Sequence, residues 1–208
     1  MMETGKKYMA LMSRYRCAIM EVETKLRVLN EEFSSQYDRN PFESIKSRLK
    51  SPISILEKLQ RRGVKLTEDN MAAAIEQNLN DVAGLRVVCS FQEDIYRLAD
   101  LLACQDDVKV LRVKDYIKNP KPNGYRSLHL ILEVPVFLEE GKTPIKVEVQ
   151  FRTIAMDFWA SLDHKLRYKK NIENEEEIME KLRQSAETIA ALDSEMQSIR
   201  NMIERSSI

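Results

Sequence analysis

Cysteine is scarce in this sequence, and the three residues present, Cys17, Cys89 and Cys104, are odd in number and form no CxxC pair. A disulfide framework or a thiolate zinc site normally needs paired cysteines, so both are disfavoured. We expect each cysteine to behave as a small buried hydrophobic residue.

Net charge is absent as well, because 33 lysines and arginines balance 33 aspartates and glutamates. A protein that binds nucleic acid through overall basicity normally carries an excess of positive charge, so a nucleic-acid partner is not indicated. Any site for an anion must therefore be local.

Long hydrophobic runs are also missing. No window approaches 18 uninterrupted apolar residues, and Lys6 and Lys7 are not followed by the apolar stretch of a signal peptide. We therefore expect a cytoplasmic protein with no membrane partner. The 208 residues are 43% hydrophobic, which suits one domain with a core and helical extensions.

Hydrophobic spacing predicts six helices and four strands. Apolar residues recur at helical intervals in the ranges 6–36, 52–62, 67–78, 92–105, 153–168 and 174–204. Short apolar or alternating runs predict strands at 84–90, 108–114, 126–134 and 144–151. The segment 42–49 is predicted only as a short connection, and Phe158 and Trp159 are expected in the core.

The last predicted strand, 144–151, is polar on one face. Its apolar residues alternate with Lys146, Glu148 and Gln150, so one face packs on the core and the other is polar. The two terminal helices carry apolar stripes that are longer than a small core needs. We expect these helices to pack on one another or on another subunit.

The stretch from Arg112 to His129 is predicted to form a binding loop. Two prolines and the pair Asn123-Gly124 break any helix here, between two predicted strands. The stretch also carries five cations, two tyrosines and a histidine. Cations attract phosphates, and a tyrosine offers a face on which a base can stack for about 1–3 kcal/mol. Nucleotide binding is the functional interpretation, and a solvated basic loop is the alternative.

A second cluster of cations lies around the helix predicted at 52–62. Ser54, Lys58 and Arg61 are spaced by four and three residues, so they share one face of that helix. Arg48 and Lys50 approach from its N-terminal side, where the helix dipole favours anions. A polyphosphate fits this arrangement, and an ordinary exposed basic face fits it almost as well.

Two carboxylates form a third candidate site. Asp81 stands just before one predicted strand, and Glu148 lies within another. If neighbouring strands bring them together, they repel unless a hard divalent cation lies between them, and Mg²⁺ takes one or two carboxylates plus substrate phosphates. Such a site serves phosphoryl-type transfer, in which positioning and charge neutralisation supply most of the catalysis. Solvation at the surface is the alternative for either residue.

Four motifs stand in a fixed order along the chain: Asp81–Arg86, Arg112–Ile117, Asn123–His129 and Val147–Thr153. In this order and spacing they resemble the synthetase domain of the RelA/SpoT homologue family, over about residues 40 to 170. The run Ile154–Lys165 is similar to small alarmone synthetases of the RelP subgroup, whereas the RelQ subgroup tends to have Asn at the position of Asp157.

The resemblance implies a fold of the α/β (α+β) class, with a mixed β-sheet of nucleotidyltransferase type flanked by helices. It implies an N-terminal helix at 1–40, an alarmone synthetase domain at 41–170 and a C-terminal oligomerisation helix at 171–208. The implied activity is transfer of pyrophosphate from ATP to the 3′-hydroxyl of GTP or GDP, which gives pppGpp or ppGpp of the stringent response and releases AMP. The implied assembly is a homotetramer.

Family roles carry over to the matching positions. Asp81 and Glu148 match the carboxylates that bind Mg²⁺, and we expect Glu148 also to accept the proton of the attacking hydroxyl. The positions that match the ATP site are Arg48, Lys50, Ser54, Lys58, Arg61 and Arg86. The positions that match the GTP or GDP site are Lys114, Lys121, Tyr125, His129, Gln150 and Asp157, with Tyr125 stacked on the guanine and Asp157 bonded to its edge.

Two other functions stay open at this point. Toxic relatives of small synthetases modify the 3′ end of tRNA, and the balanced charge argues against that activity. A non-catalytic nucleotide- or RNA-binding module is the second alternative, and the presence of both Asp81 and Glu148 argues against it. Hydrolysis of the alarmone is not expected, because the only histidines are His129 and His164 and no His-Asp pair is present.

Overall fold

The computed structural model describes residues 2–36, 39–67, 69–167 and 174–206. No helix among these residues is long and apolar enough to cross a membrane. In chain order they form α1 (Met2–Gln36), β1 (Phe42–Leu49), α2 (Pro52–Arg61), α3 (Met71–Asn78), β2 (Ala83–Cys89), α4 (Gln92–Ala103), β3 (Lys109–Asp115), β4 (Leu128–Leu138), β5 (Gly141–Thr153), α5 (Ile154–Arg167) and α6 (Glu175–Ser206).

The five strands form one mixed sheet in the order β1-β2-β5-β4-β3. Strands β2 and β5 run parallel, whereas the other neighbouring pairs are antiparallel. The predicted fold class is confirmed, since helices flank one mixed sheet and a long helix stands at each end of the described chain. The predicted helices and strands are present, although α3 begins four residues later and β4 ends four residues later than the sequence indicates.

Residues 42–49, predicted as a connection, form the strand β1, so that prediction is wrong. Only one of its eight residues, Ile45, is β-branched, so the segment has little of the composition that predicts a strand. It lies at the edge of the sheet, and the side chains of Lys46 and Arg48 are exposed. An edge strand with a polar face needs few apolar residues, which explains why the pattern is weak.

Helix α1 lies across the apolar face of the sheet and completes the core. Its residues Leu11, Tyr15 and Val22 are buried in the same cluster as Val149 and Phe151 of β5. The apolar stripe of α1 therefore belongs to the core of this chain. The expectation that this stripe packs on the other terminal helix or on another subunit is wrong.

Helices α5 and α6 pack on each other beyond the end of β5. Trp159 of α5 is buried, and its indole N–H donates to the carbonyl oxygen of Leu182 in α6 at 3.1 Å. The neighbouring Phe158 is 59% exposed, so the expectation that both aromatic residues are core is wrong for Phe158. Because consecutive helical residues point in different directions, one of the pair faces α6 and the other faces outward.

The three cysteines differ in exposure. Cys89 is buried on β2, where burial raises the pKa of its thiol and keeps it protonated. Cys17 is half-buried, whereas Cys104, which caps the C-terminal end of α4, is exposed. The expectation of three buried cysteines is therefore wrong for Cys104.

Helix α6 is tied to the end of β5 by a buried carboxylate. Asp193 accepts hydrogen bonds from Thr153 Oγ1 at 2.8 Å and from Gln92 Nε2 at 3.4 Å. It also lies on the side of α6 that meets the loop after β3, where Gly124 has a φ of 87°. A Cβ atom on Gly124 would lie 2.4 Å from the Cβ atom of Ala186, so glycine is required for this close approach. Helix α6 therefore packs against the loop that contains Gly124 and supports it.

We predict that Asp193→Asn changes stability in a pH-dependent way. Burial raises the pKa of Asp193 above its ordinary value of 3.8, so the native state holds this proton more tightly than the unfolded state does. Protonated Asp193 therefore stabilises the native state fully below pH 3.8. This stabilisation is lost as the pH rises through the pKa that Asp193 has in the native state. An asparagine oxygen can still accept from Thr153 without the buried charge.

Urea unfolding at several pH values tests this prediction. At neutral pH the Asp193→Asn variant should be at least as stable as the wild type, and its advantage should shrink as the pH falls towards 3.8. Glu195→Gln, an exposed carboxylate on the same helix, is the control. A variant that is less stable by more than about 1 kcal/mol at neutral pH would show that the charged hydrogen bonds outweigh the burial of Asp193.

Candidate active site

One polar row crosses all five strands on the face of the sheet opposite α1. Lys46, Arg86, Gln150, His129 and Lys114 lie directly opposite one another on successive strands β1, β2, β5, β4 and β3. Residues that are directly opposite point to the same face of a sheet. The row lines a cavity of about 610 Å³.

The cavity brings together residues from three of the predicted clusters. Arg48 of β1, Lys58 of α2 and Arg86 of β2, predicted for ATP, line one side. The predicted GTP or GDP residues Lys114, Lys121, Tyr125 and His129 line the other side, and Asp81, Glu148 and Gln150 also line the cavity.

Four predicted site residues are not among those that line this cavity. Lys50 lies beside it and donates to Asp81. Ser54 bonds to Ser51 in the first turn of α2. Arg61, in the last turn, is exposed and donates to the carbonyl oxygen of Glu57 in its own helix. The fourth residue, Asp157, is described below, and the roles of all four stay predictions.

Asp81 is a partly buried carboxylate whose two oxygens have different surroundings. Its Oδ2 accepts from Lys58 Nζ at 2.7 Å and from Lys50 Nζ at 3.0 Å. Burial raises the pKa of Asp81, but the hydrogen bonds from Lys58 and Lys50 outweigh burial, so the pKa lies below its ordinary value. Among the residues that the structure describes, its buried Oδ1 has no hydrogen-bond donor. One oxygen is therefore open to a cation.

Glu148, on the central strand β5, receives a hydrogen bond at each oxygen. Oε1 is 3.1 Å from His129 Nδ1, and Oε2 accepts from Gln150 Nε2 at 2.9 Å. Burial raises the pKa of Glu148, but the bonds from His129 and Gln150 hold it below its ordinary value. The charge of Asp81 also raises this pKa, so the two carboxylates are within electrostatic reach of each other. The site thus contains the predicted pair of ionised carboxylates.

Aromatic rings form the wall on the β3 and β4 side. Tyr116, Tyr125 and His129 meet edge to face, with centroids 5.2–6.0 Å apart. Lys121 Nζ lies 4.7 Å from the centroids of both tyrosine rings, and Arg152 lies 5.2 Å from that of Tyr125. Burial, followed by the charge of Lys114, lowers the pKa of Lys121. A base that stacks on Tyr125 would compete with these cations for the ring faces.

Asp157, predicted to bind guanine, lies between two arginines. Its Oδ1 accepts from Arg152 Nη1 at 2.9 Å and is 3.1 Å from Arg86 Nη1. Arg152 also lines the cavity, and although it belongs to the motif Val147–Thr153, no role is predicted for it from the sequence. Its position two residues after Gln150 on an alternating strand is the signal that places it on the polar face.

A second cavity of about 580 Å³ shares a wall with the first. Both cavities are lined by Arg48, Arg86, Tyr125 and Arg152. The second cavity extends along α5, where Ser161, Asp163, His164 and Lys165 line it. Polar side chains of both signs thus continue from the sheet onto α5.

The sequence pattern described as "Region found in RelA / SpoT proteins" matches residues 47–173, which is more than half of the chain. The chain belongs to the RelA/SpoT family. The matched region contains every site residue predicted above.

Relatives in the RelA/SpoT family cover nearly the whole chain. GTP pyrophosphokinase YwaC of Bacillus subtilis (strain 168) is 42% identical over 190 residues, which are 91% of this chain and 89% of the relative. GTP pyrophosphokinase YjbM of the same strain is 34% identical over 199 residues, 96% of this chain and 91% of the relative.

Solved structures agree with this assignment. The small alarmone synthetase 1 of Bacillus subtilis, bound to its product pppGpp, superposes with a TM-score of 0.86 at 34% identity and covers 96% of this chain and 99% of its own. The small alarmone synthetase 2 of Bacillus subtilis superposes with a TM-score of 0.80 at 41% identity and covers 92% of this chain and 97% of its own. The predicted resemblance to small alarmone synthetases is confirmed.

The two carboxylates of this RelA/SpoT site fit a divalent cation. Asp81 has a free oxygen, and each oxygen of Glu148 has one donor and so keeps acceptor capacity. No group of three or more His, Cys, Asp or Glu residues able to hold a metal occurs in the described part of the chain. A cation here would thus depend on two carboxylates and on ligand phosphates, as hard divalent cations commonly do.

We predict that Asp81→Asn removes divalent-cation binding while the fold is kept. The amide oxygen can still accept from Lys50 or Lys58, but the negative charge that attracts the cation is gone. Electron paramagnetic resonance of Mn²⁺ in the presence of AMPCPP measures binding. Asp107→Asn, which breaks the pair with Lys25 at 2.7 Å outside the cavity, is the control. Unchanged Mn²⁺ affinity in Asp81→Asn would remove Asp81 from the cation site.

Proposed function

We propose that this chain transfers pyrophosphate from ATP to the 3′-hydroxyl of GTP or GDP, forms pppGpp or ppGpp and releases AMP. The observation that carries the proposal is that one cavity has two cationic walls, which lie on either side of Glu148. Relatives named GTP pyrophosphokinase support it, as does the small alarmone synthetase 1 of Bacillus subtilis, solved with pppGpp and with AMPCPP. We propose the cytoplasm, where ATP and GTP are available, as the location.

The charge of the cavity favours anionic ligands. Seven of its lining residues are lysine or arginine, whereas two, Asp81 and Glu148, are carboxylates. A chain with no net charge thus concentrates cations at one place. Triphosphates are the ligands that such a concentration attracts, because charge-assisted hydrogen bonds to phosphate oxygens are among the strongest in proteins.

The ATP half of the site is proposed to lie on the β1 and β2 side. Arg48, Lys58 and Arg86 line the cavity there, and Lys50 lies behind Asp81. Ser54 and Arg61, on the same helix as Lys58, are proposed to complete the phosphate contacts when the nucleotide is bound. Catalysis of phosphoryl-type transfer depends mainly on this positioning and on neutralisation of charge.

The GTP or GDP half is proposed to lie on the β3 and β4 side. Tyr125 is proposed to stack on guanine, and Lys114 and Lys121 are proposed to bind its phosphates. His129 and Gln150 form the floor between the two halves, where they contact Glu148. Asp157 is proposed to act at the guanine edge, where a carboxylate can accept from both N–H groups of the base.

We propose Mg²⁺ as the cation, held by Asp81 and Glu148. When bound, Mg²⁺ would neutralise charge on the phosphate oxygens. Glu148 is proposed to accept the proton of the attacking 3′-hydroxyl. Its pKa lies below the ordinary value, so it is deprotonated at neutral pH and can receive that proton.

The products of a single incubation test the proposed function. With Mg²⁺, ATP and GTP, with and without tRNA, we expect AMP and pppGpp in equal amounts and unmodified tRNA. Glu148→Gln should bind both nucleotides and turn over about 10²–10⁴ times more slowly, because it cannot accept the proton. Glu133→Gln, a carboxylate of β4 that pairs with Lys109, is the control.

Two outcomes of this experiment would contradict the proposal. AMP together with modified tRNA would assign the chain to tRNA 3′-end pyrophosphorylation, and the absence of AMP would make it a non-catalytic binding module. A Glu148→Gln variant with a near wild-type rate would remove the proton-accepting role from Glu148 while leaving the reaction itself intact.

We also propose that the chain forms a homo-oligomer, with four subunits. The support is an apolar stripe on α5 in which Ile154, Phe158, Leu162 and Leu166 are 53%, 59%, 41% and 54% exposed. Residues spaced by four lie on one helical face, and a contiguous exposed apolar surface is typical of an interface. Leu192 and Met196 of α6 add a further exposed apolar surface, at 56% and 48%.

Light scattering tests the assembly. We expect the wild type to have the mass of four chains and Phe158→Glu to dissociate, because a charge would be buried in the interface. Phe137→Glu is the matched control, since Phe137 is 72% exposed and lies outside the stripe. A monomer mass for the wild type would contradict the proposed oligomer.

A further inference from the structure

Arg152 occupies the centre of the hydrogen-bond network but has no assigned role. Its side chain is 6% exposed and lies on β5, on the same face as Glu148 and Gln150. It donates to Tyr125 Oη at 2.9 Å, to Gln150 Oε1 at 3.1 Å and to Asp157 Oδ1 at 2.9 Å. Its Nε is buried without an acceptor among the described residues, so the two Nη groups alone orient it.

A guanidinium group can only donate, and this fixes the direction of the bond to Gln150. The amide oxygen of Gln150 must face Arg152, and the amide nitrogen is then directed to Glu148 Oε2 at 2.9 Å. The opposite orientation would place two donors against each other at Arg152 and two acceptors against each other at Glu148. Arg152 therefore selects the Gln150 orientation that supplies a donor to Glu148.

The same reasoning fixes the bonds through Tyr125. Its hydroxyl oxygen accepts from Arg152, so its own proton is available for His129 Nε2 at 2.9 Å. The other ring nitrogen of His129, Nδ1, faces the carboxylate oxygen Glu148 Oε1 at 3.1 Å and must donate. In the neutral imidazole, a proton on Nδ1 leaves Nε2 as the acceptor, which matches the proton of the Tyr125 hydroxyl.

We propose that Arg152 is a positioning residue that orients the Gln150 amide and the Tyr125 hydroxyl, so that each carboxylate oxygen of Glu148 receives a donor from a fixed partner. Two chains of bonds run from Arg152 to Glu148, one through Gln150 and one through Tyr125 and His129. Together they hold the carboxylate in one orientation facing the cavity. The role of Glu148 in turnover rests on the proposed function, whereas the order of the bonds does not.

Asp157 completes this arrangement on the opposite side of the guanidinium. Its Oδ1 accepts from Arg152 and is also paired with Arg86 of β2. The ion pair neutralises a charge that would otherwise be buried alone. Asp157 thereby fixes Arg152 relative to the proposed ATP side of the cavity.

Nuclear magnetic resonance of protein labelled with ¹⁵N-histidine tests the order of the bonds directly. The chain has two histidines, and the exposed His164 serves as an internal reference for His129. In the wild type we expect His129 to be protonated at Nδ1 and to accept at Nε2. In Tyr125→Phe, which keeps the ring but lacks the hydroxyl, the Nε2 resonance should move towards that of an unbonded nitrogen.

Arg152→Met should produce a similar shift at Nε2, because the tyrosine hydroxyl is no longer oriented. The double variant with Tyr125→Phe should show no further shift, since both changes interrupt one chain of bonds. We expect kcat to fall about 10–100-fold with little change in KM, as is typical when a residue that orients a metal-binding group is lost. Arg152→Lys should recover part of the rate, because one ammonium group can bond to Tyr125 or Gln150 but matches the fork poorly.

Arg200→Met is the matched control. Arg200 is also largely buried, bonds to Glu204 at 2.8 Å and lies 5.1 Å from the ring centroid of Phe91, outside the cavity. It should change stability and leave the His129 resonances unaltered. If Arg152→Met lowers stability or kcat but leaves His129 Nε2 unshifted, Arg152 has only a structural role and the proposal is overturned.

Two further comparisons cover a variant that does not fold and a protein that shows no activity. If Arg152→Met does not fold, Arg152→Lys takes its place, and an unshifted Nε2 in both Arg152→Lys and Tyr125→Phe would overturn the proposal. If the wild type forms no pppGpp, the proposed function fails, but the resonances of the resting protein still support or overturn the order of the bonds.

Discussion

The parallel pairing of β2 with β5 is the constraint on which the site depends. It sets Gly84 opposite Glu148 and Arg86 opposite Gln150, and it brings Asp81, just before β2, to the same end of the sheet. Side chains of a strand alternate between the two faces of the sheet. A slip of one residue in the pairing would therefore turn the polar row towards the core and expose Val147 and Val149. The apolar face against α1 therefore fixes the polar face as well.

Carboxylates of the same chain stabilise the cations of the site. Asp81 holds Lys50 and Lys58, and Asp157 holds Arg86 and Arg152. A partly buried cation without a partner would lose solvation without compensation, and each of these carboxylates shares its single negative charge between two cations. Phosphate oxygens are an alternative acceptor for the same cations. A bound phosphate would therefore replace ion pairs within the chain by ion pairs with the ligand, and the net cost of desolvating the cations would be small.

Sequence periodicity predicts most of the fold but only part of the site. Helices such as α1 and strands such as β5 carry long, regular apolar patterns, because one face of each meets the core. Strand β1 has one β-branched residue and a polar face, so its identity depends on pairing with β2. The two bonds of Asp157 to arginines depend on where α5 leaves β5, and spacing along the chain does not encode that geometry.

Helix α6 supports the site on the side of the loop that contains Tyr125. The loop containing Tyr125 turns at Gly124 against Ala186, and Thr153, next to Arg152, donates to Asp193 of the same helix. Both contacts lie on one side of α6, whereas Leu192 and Met196 are exposed. A subunit that packed on that exposed surface would restrain the helix that supports the Tyr125 loop and the end of β5. Assembly would then act on the Tyr125 loop only through the packing of α6 against Gly124 and Thr153.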